Sequence, residues 1–78
     1  MIICGIDPGT QCTGYGILDV ERDRSVYRDH GVIRPKSQDL DLRLKEIFLR
    51  ITDILREHQP TEAAIETSFC ATNAQTAL

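Results

Sequence analysis

No apolar run in this sequence approaches the ~20 residues that a membrane-spanning helix needs, and no basic segment precedes the apolar residues at its start. A membrane span and a secretory leader are therefore not expected, and a cytoplasmic protein is. No CxxC pair is present either. Cys4, Cys12 and Cys70 are widely spaced, which argues against a zinc knuckle and for reduced, structural thiols. Basic charge is not in excess: the formal net charge is −3, which counts against a free-standing nucleic-acid binder. A nuclease whose acidic site meets phosphate through metal cations is the exception to that rule. Internal repeats, low-complexity stretches and linkers are absent as well.

What is present is an ordinary globular composition, 41% hydrophobic and 27% charged, on 78 residues. That length suffices for one thin domain whose single core supplies about 3–5 kcal/mol. Ile2 to Asp7 is apolar on both faces and reads as a central strand. Asp7-Pro8-Gly9-Thr10 has the residue order of a type II turn, and Pro8 holds Asp7 in the extended region. Cys12 to Val20 reads as an antiparallel neighbour of the first strand, and Ser25 to Arg34 as a charged edge strand. From Asp39 to Gln59 the period becomes helical. Leu40, Leu44, Ile47, Phe48, Ile51, Ile54 and Leu55 fall on one stripe, Asp39 or Asp41 can cap its start, and Pro60 marks its end. Thr61 to Glu66 is a fourth, apolar strand, and the helix before it is the crossover that makes it parallel to the first. Thr72-Asn-Ala-Gln75 has the pattern of a capping box that opens a second helix. Leu78 follows so soon that the sequence reads as cut off inside an element. The expected class is α/β, a mixed sheet of four strands with one full helix.

Two of the strands end on an acid. Strand alternation puts Gly5 on the face of Asp7 and Ala64 on the face of Glu66, so each carboxylate has a small neighbour and open space beside it. If the strands are parallel neighbours, both acids lie at the carboxyl-terminal end of the sheet, where open α/β sheets place their ligands. Two carboxylates about 4 Å apart repel by about 4 kcal/mol at an effective dielectric near 20. No lysine or arginine adjoins either one in sequence to relieve this. Oxygen-only ligation suits Mg²⁺ or Mn²⁺, and such ions assist phosphodiester hydrolysis. The plainer reading of Asp7 is a turn residue that accepts backbone N–H bonds. Gly14 and Gly16 share one face of the second strand, where tight helix packing is preferred over ligand contact. Phe69 can cover the end of the core or stack on an exposed base. His30 and His58 have no metal-ligand spacing and receive no role.

The segments GIDPGTQCTGYGIL, IRPK, RLKEIF and AAIETSFCATNAQTAL together resemble the amino-terminal half of the RuvC family, the Holliday junction resolvases or crossover junction endodeoxyribonucleases. The resemblance implies a ribonuclease-H-like sheet of order 3-2-1-4-5, of which residues 1–78 supply the first four strands of a single nuclease domain. It implies a homodimer that makes paired symmetric nicks in four-way junction DNA with Mg²⁺ or Mn²⁺, alongside the RuvA–RuvB branch-migration complex. Asp7 and Glu66 match two of the family's four catalytic, metal-binding acids, and Phe69 matches an aromatic that acts on bases at the junction. The other two acids lie in a part of the family pattern outside this sequence, so these residues alone are expected to be inactive. Two alternatives remain: an actin-like or sugar-kinase-like ATPase fragment using the Asp-Pro-Gly-Thr turn for phosphate, and a non-catalytic truncated product.

Overall fold

Four strands and one helix account for the regular structure of residues 1–66, the part of the chain that the computed structural model describes. They are β1 (Ile2–Asp7), β2 (Thr13–Val20), β3 (Ser25–Ile33), α1 (Leu40–His58) and β4 (Glu62–Ile65). The sheet order is β3-β2-β1-β4. Short loops force β1, β2 and β3 into antiparallel pairs, and the α1 crossover returns β4 parallel to β1. β1, the strand with apolar residues on both faces, is thus an interior strand, and β3 with its charges is an edge.

The ends of α1 follow local chemistry. Of the two candidate caps Asp39 serves, its carboxylate accepting the Asp41 N–H at 3.1 Å. The helix stops where Gln59 turns left-handed at φ 48°, donates its N–H to the Leu55 carbonyl at 2.8 Å and is followed by Pro60.

The helix covers one face of the sheet. Cys4 and Ile17 are direct partners across β1 and β2, and together with Ile33 and Ile54 they form the buried core. Ile2, Ile6, Tyr15, Ile47, Ile51 and Leu55 pack against it half-buried. The amino-terminal part of the expected apolar stripe does not join this core. Leu40 and Leu44 are about half exposed and Phe48 is 67% exposed, although Ile47 and Ile51 on either side of Phe48 pack against the core. β4 is not covered either. All four of its residues are exposed, since among the described residues no strand pairs with its outer edge. Phe69, Cys70 and the Thr72–Gln75 capping pattern lie outside the described residues.

Candidate metal-binding active site

β1 and β4 run parallel in register, Gly5 beside Ala64 and Ile6 beside Ile65. Hydrogen bonds close the pairing at both ends. Thr61 donates its N–H to the Ile2 carbonyl at 2.9 Å, and Glu66 donates its N–H to the Ile6 carbonyl at 2.9 Å. The second bond fixes the backbone of Glu66 beside that of Asp7. Both acids therefore stand at one end of the sheet, on the face opposite α1, and both are exposed. Among the described residues neither carboxylate takes part in an ion pair or a side-chain hydrogen bond. Asp7 is thus not spent on turn hydrogen bonds.

The space predicted beside the acids exists. Gly5, Asp7, Gly14, Gly16, Ala64 and Glu66 line a shallow cavity of about 520 Å³. Its floor is set by register, for Gly5 is the cross-strand partner of both Gly16 and Ala64, and Gly14 is the partner of Asp7. A Cβ built on Gly5, Gly14 or Gly16 meets nothing within 4 Å among the described residues. Tight helix packing at Gly14 and Gly16 is not supplied by α1, which lies on the other face of the sheet.

The loop after Asp7 also differs from expectation. No glycine of the chain has positive φ, so Asp7-Pro8-Gly9-Thr10 is not a type II turn. Gly9 is required for closeness instead, since a Cβ there would sit 2.5 Å from the Cys12 carbonyl oxygen. Thr13 holds this close approach. Its hydroxyl accepts the Gly9 N–H at 3.2 Å and donates to the Gly9 carbonyl at 2.9 Å, and the residue is buried. Arg43 holds the far side of the loop. Its guanidinium donates to the carbonyls of Thr10, Gln11 and Ser37 at 2.8, 3.2 and 2.7 Å.

Sequence reasoning singles out Asp7 and Glu66 as candidates, which the structure brings to one sheet end, and passes over Thr13 and Arg43, which hold the adjoining loop. A cation in the opening turns of a helix opposes the helix dipole. That placement of Arg43 was the available signal that it serves something beyond the helix.

Residues 3–78 match the family model "Crossover junction endodeoxyribonuclease RuvC". The chain belongs to the RuvC family. Curated RuvC proteins of Shewanella sp. strain MR-4 and of Shewanella baltica strain OS155 are each 48% identical over 77 residues. That alignment covers 99% of this chain and 44% of each of those proteins, so the chain spans less than half the length of the relatives it matches. Among solved structures, the Thermus thermophilus RuvC structure aligns with a TM-score of 0.74 at 26% identity, covering 83% of this chain and 42% of that one. Thermus thermophilus RuvC in complex with Holliday junction substrate aligns at 0.76 and 27%, covering 83% and 41%. The fold is accordingly that of RuvC, a ribonuclease-H-like mixed sheet with its first four strands and first helix in this chain. The ATPase alternative finds no support among these matches. No helix of the described residues is long and apolar enough to cross a membrane.

Proposed function

We propose that this chain is the amino-terminal part of a single RuvC nuclease domain. In its complete form the protein is a metal-dependent endonuclease that resolves Holliday junctions by paired symmetric nicks during DNA recombination and repair. The family match over residues 3–78 supports this reading. The observation that carries it in the structure is the placement of Asp7 and Glu66 at one sheet end, tied by the Glu66 N–H to Ile6 carbonyl bond.

In this reading Asp7 and Glu66 are catalytic. Their donor set is two carboxylates without nitrogen or sulfur, which fits Mg²⁺ or Mn²⁺. Bound there, such an ion supplies an activated water and neutralises charge on the scissile phosphate. The chain's own residues then have three tasks. Asp7 and Glu66 hold the cation, the Thr13 and Arg43 bonds keep the adjoining loop in one shape, and the glycine floor lets a DNA backbone approach. Two acids are fewer than most two-metal sites use. The remaining acids, and the basic surface that a net charge of −3 does not provide, come from the rest of the complete protein. Phe69 acts on the bases at the junction centre. The complete protein works as a homodimer on four-way junction DNA with the RuvA–RuvB complex, in the cytoplasm.

The test is cleavage and binding of synthetic four-way junctions by the complete protein with Asp7→Asn or Glu66→Gln. Cleavage is expected to vanish while junction binding persists. Undiminished cleavage by Asp7→Asn would overturn the assignment.

A further inference from the structure

A second group of ligand-bearing side chains lies on the opposite face of the sheet. We propose that Asp29, Glu57 and His58 bind one divalent cation of the zinc class, joining the edge strand β3 to the end of α1. The proposal is independent of the nuclease reading.

His58 Nε2 lies 3.1 Å from Asp29 Oδ2 and 3.7 Å from Glu57 Oε2, and one ligand atom from each of the three falls within 4.8 Å of the others. An ion with bonds of about 2.1 Å to nitrogen and oxygen holds tetrahedral ligands about 3.4 Å apart. The two His58 distances straddle that spacing, and the third, between Asp29 and Glu57, lies within 4.8 Å, so the exposed Glu57 side chain closes the set around an ion by swinging inward. One imidazole and two carboxylates, with a fourth position open to solvent, is a ligand set that zinc accepts; magnesium favours oxygen alone.

Two features of the fold hold the ligands ready. The irregularity in β3 pairs Asp29 with Ile17 but Tyr27 with Leu18, leaving Arg28 as an extra residue. Asp29 thereby shares the helix-covered face with the core residue Ile17. The His58 side chain is only 15% exposed, so its ring has little freedom to turn away. Glu57 is the outer, exposed ligand.

Electrostatics favour a cation here. Among the described residues neither Asp29 nor Glu57 pairs with a lysine or arginine; His58 is the only ion-pair partner of each. Glu57 and His58 sit in the last turn of α1, the negative end of the helix dipole. The neighbouring Tyr15 phenol registers this field. Burial first, then the charge of Asp29, with Glu57 adding to it against Arg50, push it above its ordinary range.

The test is calorimetric titration of ZnCl₂ into the protein carrying Asp7→Asn and Glu66→Gln, which removes the other carboxylate pair. One ion per chain is expected, with affinity falling at least tenfold on Asp29→Asn or His58→Gln. Because those two changes also break the Asp29–His58 bond, Glu57→Gln is the decisive variant. It should leave the melting temperature without metal unchanged, and it should weaken zinc binding and shrink the zinc-induced rise in melting temperature. Saturable binding that is absent, insensitive to Glu57→Gln, or abolished instead by Cys12→Ser or Cys70→Ser would overturn the site.

Discussion

The two faces of this sheet are made by the same strands and obey opposite rules. On the covered face Cys4, Ile17 and Ile33 interlock with Ile54 of α1, and empty volume is filled even where a residue lacks a side chain. Gly31 shows this, because the Tyr15 ring lies where its Cβ would be, with the phenol oxygen 2.6 Å from that point. On the open face Gly5, Gly14 and Gly16 have nothing within 4 Å of the corresponding position among the described residues. Glycine in a strand costs about 0.5–1 kcal/mol relative to alanine. At Gly31 packing offsets that cost, whereas on the open face no described contact does. The difference teaches that one face is shaped by the protein's own side chains, whereas among the described residues the face carrying Asp7 and Glu66 is left uncovered.

The largest expected effect falls on the covered face. Ile17→Ala removes a fully buried side chain at the centre of a small core and should cost about 2–5 kcal/mol, comparable to the ~3–5 kcal/mol such a core supplies. Chemical denaturation should then show the chain largely unfolded in water. A stable, cooperative unfolding transition in that variant would show that the core extends beyond the residues assigned to it.

A matched pair of glycine substitutions sharpens the contrast. Gly31→Ala must displace the Tyr15 ring and should destabilise by about 1–3 kcal/mol. Gly16→Ala lies one strand away, on the open face. It should leave stability unchanged or raise it by up to about 1 kcal/mol, while lowering junction cleavage in the complete protein. If the complete protein instead packs its own side chains onto the floor, Gly16→Ala will lower its melting temperature, and the two faces will no longer differ in kind.

The smallest effect is a pH dependence confined to the covered face. Burial raises the Cys4 thiol above its ordinary value of 9.0 and is the first cause raising Tyr15 above 10.0. The unfolded chain therefore releases these protons at lower pH than the folded one. Stability conferred by the neutral groups is fully present below pH 9 and declines as pH rises through the raised values. Melting temperature should fall as pH rises above 9, and Cys4→Ala should make that fall less steep.

Much of the frame was legible because it depends on neighbours in sequence. The apolar run before Asp7, the antiparallel return after a short loop, and the Asp39 cap with its Pro60 stop are local signals, and the structure carries all of them. Gly5 and Ala64 were readable as small residues beside the acids because strand alternation has a fixed period of two. Other features depend on distance in space. Gly9 looked like a glycine chosen for positive φ, but the reason for it is a carbonyl three residues on. His58 looked isolated because its partner Asp29 is 29 residues away, and only the return of α1 across the sheet brings them to 3.1 Å. Phe48 shared a stripe with Ile51 and Leu55, yet periodicity cannot say which members of a stripe the sheet will cover.

By itself, then, the sequence determined the strand and helix pattern, the presence of an acid at the end of β1 and another just past β4, and membership in the RuvC family. Those follow from local periodicity, turn chemistry and the order of residues along the chain. Only the tertiary structure decided which face α1 covers, that the glycine floor lies beneath Asp7 and Glu66 on the other face, and that Asp29, Glu57 and His58 converge. The physical reason is that alternation assigns residues to two faces but does not say which of the two is buried. That choice is made by the crossover helix, which lays its one apolar stripe on the core side and leaves Asp7 and Glu66 facing outward.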